Sequence, residues 1–313
     1  MSRVLVVGSL NLDYHLTVER EPADDGTARV SRFSMSGGGH AGNCAAALAR
    51  LGCETSLFSA IGDDPEGELL LAELAGEGVV LDHVVRVKGA ETGRVFIPAF
   101  PDRRFMLMFR GATDGWTAAD CAAVDLDSWD AVVLFDPPED VARDVLRRSA
   151  GAGVPVYWNP GGLHSDADWV LEAVSEAEWL SVNRPEFEAL FGCPPDAASI
   201  REASRRHRVP WLVVTLGAEG AMASDGTRVW SVPAHAVDVV DATGAGDAFA
   251  AGFVTGGLLG RAWPEPLALA VAAGAHAVTV PGARAASLSP GRLADMNSGG
   301  VAPTVYPHSQ IGM

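Results

Sequence analysis

Short apolar runs alternate with alanine- and leucine-rich segments along most of this chain. Val4–Val7, Thr55–Ala60, Ala131–Phe135, Val154–Trp158, Trp179–Val182 and Trp211–Leu216 are each apolar almost throughout. That is the pattern of a strand covered on both faces, not of one with a wet side. Between them, Ala41–Leu51, Pro65–Glu77, Glu139–Ala150, Asp168–Val174, Pro185–Phe191 and Ala197–His207 read as helices, several opening on Asp, Pro or Glu. Strand and helix in turn predict an α/β fold, with a mostly parallel sheet carrying helices on both sides. At 313 residues the chain is long enough for one large domain or two smaller ones.

Two stretches break the rhythm. Residues 13–35 and 92–110 look like strands with an exposed pattern, divided by turn residues such as Pro101-Asp102-Arg103, and neither is followed at once by a helix of its own. They read either as a small β-sheet flap over one edge of the fold or as two ordinary surface hairpins. Ala245–Leu259 and Pro264–Val280 should be helices, whereas residues 296–313, rich in Gly, Pro and Ser, are expected to be an irregular tail after a domain spanning 1–295.

Composition removes several classes of function. A net charge of −17 argues against a nucleic-acid partner, which would want a basic face. Cys44, Cys53, Cys121 and Cys193 lack the spacing of a zinc site or a disulfide framework. The first apolar run breaks at Gly8 and Leu267–Val280 is interrupted by Gly274 and His276, so neither a signal-peptide core nor a membrane span is expected, and a cytoplasmic protein is. Phosphate substrates stay open, because local dipoles and metal ions override a global field. No P-loop, dinucleotide-binding glycine fingerprint, His-Glu-x-x-His or Gly-x-Ser-x-Gly elbow is present.

The densest local signal is Asp241-Ala-Thr243-Gly244-Ala245-Gly246-Asp247, running directly into a small-residue helix. Unpaired N–H groups and the helix dipole suit such a junction to an anion, and an acid beside an anion is a candidate base for phosphoryl transfer. A small-residue turn with Asp247 capping the helix accounts for the spacing equally well. Other segments lie at predicted strand ends, where open α/β sheets bind ligands. Asn11 and Asp13 follow the first strand, and Gly38, Gly39 and Asn43 open a helix. Asn183 and Glu186, three apart, would sit over a metal ion or form a helix cap. Thr215-Leu-Gly217-Ala-Glu-Gly220 is a weak hairpin signal.

Taken together, Gly38-Gly39-x-x-x-Asn43, Asn183-x-x-Glu186, Thr215-x-Gly217-x-x-Gly220 and Gly244-Ala245-Gly246-Asp247 resemble the ribokinase-like, or PfkB, carbohydrate kinases, from about Val4 to Pro290. The resemblance implies a three-layer α/β/α sandwich with a β-sheet lid over the sugar, formed by the two irregular stretches. It implies ATP as co-substrate, with Asp247 as base and Gly244, Ala245 and Gly246 as an anion hole. Glu186 would organise Mg²⁺ through its waters, and Asn183, Thr215, Gly217 and Gly220 would border the nucleotide. Asn11, Asp13, Gly38, Gly39 and Asn43 would hold the acceptor, a small sugar or, on the same scaffold, a nucleoside sandwiched by Phe33, Phe96, Phe100, Phe105 and Phe109. Arg110, after the second lid stretch, would reach an acceptor carboxylate or sit solvated on the lid.

Asp241 and Thr243 would serve a K⁺ site, which Ala242 puts in doubt because relatives usually have a hydroxyl residue there. His40 stands where ribokinases proper usually carry lysine. A lid with apolar residues on both faces would favour a homodimer built lid to lid.

Overall fold

The structure, a computed structural model, describes residues 1–161, 168–284, 288–298 and 303–306. In chain order come β1 (Arg3–Val7), β2 (Asn11–Val18), β3 (Val30–Gly38), α1 (His40–Arg50), β4 (Glu54–Phe58) and β5 (Ala60–Gly62). There follow α2 (Pro65–Gly76), β6 (Val85–Val87), β7 (Gly93–Ala99), β8 (Leu107–Phe109), β9 (Ala131–Leu134), α3 (Glu139–Ala152) and β10 (Val156–Trp158). Next are α4 (Asp168–Ala173), β11 (Trp179–Asn183), α5 (Arg184–Phe191), α6 (Ala197–His207), β12 (Trp211–Thr215), β13 (Ala221–Ser224) and β14 (Val229–Val232). Helices α7 (Ala245–Leu258), α8 (Glu265–Ala277) and α9 (Pro290–Ser298) and strand β15 (Thr304–Tyr306) complete the set.

The central sheet runs β15-β14-β13-β12-β11-β10-β9-β1-β4. Pairing is parallel from β4 to β12, and antiparallel from β12 through β15. Side chains of β1 alternate between two separate cores. Val4 and Val6 pack with residues of α1, α7 and α8, and Leu5 and Val7 with residues of α3, α5 and α6. This is the three-layer sandwich that the unbroken apolar strands imply, since a strand buried on both faces needs a helix layer on each.

Three local departures have simple causes. The run expected over Thr55–Ala60 divides, because Ser59 turns to donate to the Gly8 carbonyl at 2.6 Å; β5 then pairs with β6 outside the main sheet. Trp211–Leu216 ends at Thr215, and its glycine turn leads into β13, so the hairpin signal there is realised. The tail expected to be irregular over 296–313 carries order. Helix α9 runs on to Ser298, and Thr304–Tyr306 extends the sheet by pairing with β14; residues 299–302 and 307–313 lie outside the described residues.

The small second sheet, β3-β2-β7-β8, forms a lid. Its register assigns its two faces, because side chains alternate along each strand. Asp13, His15 and Thr17 of β2 share a face with Ser36, Ser34 and Arg32 of β3 and with Val95, Ile97 and Ala99 of β7. This face lines a cleft of about 560 Å³ against Asp241, Thr243 and Gly282 of the main body. The opposite face carries Tyr14, Phe33, Met35 and Phe96, with Tyr14 stacked on Phe96 at 5.1 Å and 6.0 Å from Phe33.

Candidate active site

Asp247 lies in the first turn of α7, and its carboxylate does not cap that helix. The N-cap is Gly244, at φ 77°, and no side chain bonds to it. Only glycine suits this left-handed position, where a Cβ would also overlap the Ala283 carbonyl. Asp247 is instead gripped from α1. Asn43 Nδ2 donates to its Oδ2 at 2.8 Å, and His40 Nδ1 lies 2.8 Å from its Oδ1. The capping reading of Asp247 is therefore excluded; the N-cap of α1 is Gly39, so Asn43 lies inside that helix. Space opposite Gly246 is open, and the Ala245 N–H makes only a long bond, 3.4 Å, to the Ala242 carbonyl, so this helix N-terminus fits an anion.

The glycines of the β3–α1 junction let other groups close on the site. Side chains at Gly37 or Gly38 would overlap Arg284 and Asp13 respectively. Gly39 takes φ 85°, turning the chain into α1 over the Ser9 carbonyl. Arg284 fills the room left, donating to Glu73 at 3.0 Å and lying 3.4 Å from Asn43 Oδ1. Asp13 is buried with its Oδ1 unpartnered. Burial above all, with Asp247 adding repulsion, pushes its carboxyl up to about 7 against the pull of Arg284 and His40. Asn11 stands one register step away, its side chain against Gly93.

His40 is the junction of the site's charges. Its ring stacks on Phe135 at 5.8 Å and faces Asp247, Asp136 and Glu186. Burial opposes a charge on the imidazole, but half of its side chain is exposed and the carboxylates prevail, pushing it up to about 10. Asp136, at the end of β9, accepts from the Ser9 N–H at 3.2 Å; against its burial, His40 and Arg110 hold its carboxyl below the usual range. Sequence reasoning passed over Asp136 and Arg284. The position of Asp136 just beyond a strand end was a signal, whereas Arg284 has none in its small-residue surroundings.

Arg110 is engaged by protein acceptors. Its Nη2 donates to the Asp136 carbonyl at 2.8 Å, its Nη1 to Asp136 Oδ2 at 3.2 Å and its Nε to Asp114 at 2.6 Å. With all three nitrogens engaged, it ties the end of the lid to the main sheet.

At the neighbouring strand ends, Asn183 and Thr215 are register partners, and Gly217 and Gly220 form the turn beyond. Asn183 and Glu186 make a reciprocal capping box on α5: Asn183 Oδ1 accepts from Glu186 N at 2.9 Å, and Glu186 Oε2 from Asn183 N at 2.8 Å. Glu186 Oε1 takes no part in the box and has no hydrogen-bond partner among the described residues, so it fits a water of a metal ion such as Mg²⁺. Burial raises the pKa of this carboxyl. Asp241 fits a cation less well. It accepts from Thr243 N and Oγ1 at 3.0 and 2.7 Å and from Gly282 N at 3.1 Å, and Ala242 adds no side-chain oxygen. These bonds brace the loop ahead of the anion nest, and no step is assigned to K⁺.

A parallel sheet with ligand loops at its strand ends, a polar lid and a clamped acid at a helix N-terminus define a group-transfer enzyme of the α/β class. The sequence matches the pfkB family of carbohydrate kinases over residues 1–290, and the chain belongs to that family. Its members are phosphotransferases with an alcohol group as acceptor. The ATP-dependent ribose-1-phosphate kinase of Halopiger xanaduensis is 33% identical over 91% of this chain and 95% of its own length. The structure of Arabidopsis thaliana ribokinase complexed with ribose and ATP superposes with a TM-score of 0.86 at 28% identity, over 95% of this chain and 99% of that one. A Methanocaldococcus jannaschii nucleoside kinase shares the fold, with a TM-score of 0.85 at 20% identity over 96% and 99% of the two chains. Among the described residues no helix is long and apolar enough to cross a membrane.

Proposed function

We propose that this protein transfers the γ-phosphate of ATP to a hydroxyl, most simply a primary one, of a small sugar. The observation that carries this reading is the clamped Asp247, a buried acid withheld from capping its own helix and held by Asn43 and His40 beside an open anion nest. Asp247 accepts the hydroxyl proton as the oxygen attacks phosphorus. The N–H groups of Gly244, Ala245 and Gly246 receive the charge that builds on the phosphoryl oxygens. Asp13, with its unpartnered oxygen, takes a sugar hydroxyl together with Asn43, and Asn11, Gly38 and Gly39 shape the wall. Asn183, Thr215, Gly217 and Gly220 border the nucleotide. Glu186 Oε1 would hold a water of the Mg²⁺ that accompanies ATP, an ion whose charge would offset that of the phosphates. The lid excludes bulk water, which would otherwise compete as acceptor.

The nucleoside reading needs aromatic rings turned toward the acceptor. Phe33 and Phe96 occupy the lid face away from the cleft, and Phe109, register partner of Arg94, shares that outer face. Their exposed outer surface suits a second copy of this chain, and we read the protein as a homodimer through its lids.

The test is ADP release across a panel of sugars and nucleosides. Asp247→Asn should fold, bind ATP and lose turnover by about 10³-fold or more, the scale set by removing a positioned base together with its charge. Turnover near the parent level in that variant removes Asp247 from the role, and turnover of adenosine alone overturns the sugar reading.

A further inference from the structure

The inner face of the lid carries an ordered row of residues that the phosphoryl-transfer chemistry does not use. Thr17 of β2 is the register partner of Arg32 on one side and of Ala99 on the other, and Ala99 bridges to Arg104. The row thus reads Arg32-Thr17-Ala99-Arg104 across four adjacent strand positions, two arginines flanking two small residues. All four line the cleft facing Asp241 and Thr243. At about 4.8 Å between strands the two arginines start roughly 14 Å apart, so both guanidinium groups reach the space above Thr17 and Ala99.

Two further observations point to an anion there. The chain has 40 acidic residues and 23 basic ones, and most cleft-side arginines are spent on carboxylates. Arg32 makes no ion pair among the described residues, and Arg104 has only a loose contact with Asp241, at 3.8 Å. Asp241 is already satisfied by three donors, so Arg104 can exchange it for a ligand at small cost. The row between this one and Asp13 is hydroxylic and imidazole-bearing, with His15 and Ser34 opposite each other and His15 Nε2 hydrogen-bonded to Ser36 Oγ at 3.0 Å. Two residues along a strand span about 7 Å and four about 13 Å. The far substituent of a pentose held at Asp13 can therefore lie beside His15, within reach of long arginine side chains.

We infer that this face is a binding subsite for a phosphomonoester carried by the acceptor sugar, at the end away from the hydroxyl that is phosphorylated. Arg32 and Arg104 take the phosphate oxygens in charge-assisted hydrogen bonds, and Ser34 and His15 complete the contacts. The acceptor is then a pentose phosphate and the product a bisphosphate. This rests on the kinase reading above and deepens it. Val95, Ile97 and Ala99 make the β7 side of this face apolar, and the two arginines flanking Thr17 and Ala99 suit a dianion.

The experiment compares ribose 1-phosphate with ribose as acceptors, by ADP release, in the parent and in Arg32→Gln, Arg104→Gln and the double variant. The parent should prefer the phosphorylated sugar. Each single variant should lose about 10- to 100-fold in kcat/KM for ribose 1-phosphate, the scale of one charge-assisted contact, with kcat/KM for ribose unchanged. Inorganic phosphate should compete with ribose 1-phosphate in the parent and more weakly in the double variant. Both arginines are partly or wholly exposed on the lid, so unchanged thermal midpoints will separate lost binding from lost folding. Equal use of the two sugars by the parent, or equal losses on both in the variants, overturns the subsite and leaves the kinase reading standing. Absence of transfer to any sugar, with nucleoside turnover or none, overturns the sugar-kinase reading and the subsite with it.

Discussion

His40 Nδ1 lies 2.8 Å from Asp247 Oδ1, joining the first turn of α1 to the first turn of α7 across 207 positions of sequence. The contact makes the base one half of an ion pair, since the carboxylates around His40 push its pKa up to about 10. A group whose folded pKa is raised stabilises fully below its unfolded value near 6.5, and that contribution is lost as pH rises toward 10. The parent should therefore lose thermal stability progressively across that window, and His40→Gln should show a flatter dependence. Activity should show an alkaline limb near pH 10 that the variant lacks. Parallel stability profiles for the two proteins would refute the pair.

Asp13 has the opposite sign. Burial raises its carboxyl pKa to about 7, so the native state holds a proton that the unfolded chain has released. Stability then falls as pH rises from about 4 to 7 and is level above, the reverse of a salt-bridged carboxylate. Asp13→Asn removes this dependence. Relative to the parent, its melting temperature should rise between pH 4 and 7, while KM for the sugar worsens. A constant difference in melting temperature across that range would contradict the assignment.

Asn43 tests the second grip on the base. Asn43→Ala leaves Asp247 Oδ2 without its donor in a buried site, at a cost of about 1–3 kcal/mol in unfolding free energy. Because the amide orients the base, kcat should fall by more than KM rises. Urea unfolding and steady-state kinetics measure the two effects separately, and a change confined to KM would make Asn43 a sugar contact alone.

What the sequence conveyed, and what it withheld, follows from the range of each interaction. The parallel core was legible because strands buried on both faces must be apolar throughout, as Val4–Val7 and Ala131–Leu134 are. The glycine turn before Asp247 was legible as a local conformational demand, but whether Asp247 capped its helix depended on partners some two hundred residues away. The engagement of Arg110 was hidden for a related reason: its position after the lid is local, whereas its contact with Asp136 is tertiary. The orientation of the lid phenylalanines also stayed hidden. Alternation along β3 and β7 separates two faces without saying which one the main body covers. Arg284 was invisible because its pocket consists of missing side chains, those of Gly37 and Gly42.

The outer face of the lid gives a last prediction. Phe33, Met35, Leu107 and Phe109 are 53%, 51%, 59% and 43% exposed around the Tyr14–Phe96 stack, a contiguous apolar surface of the kind that marks an association site. A second copy brings the same patch at equal concentration, and a twofold arrangement buries both at once. Phe33→Asp places a charge in that contact without touching the inner face of the lid. Sedimentation of the parent at micromolar concentration should give a dimer mass, and the variant a monomer mass. Arg32 and Phe33 point to opposite faces, so the variant should keep its preference among acceptors even as KM rises from a less rigid lid. A parent that sediments as a monomer would discard the dimer and leave the site as described.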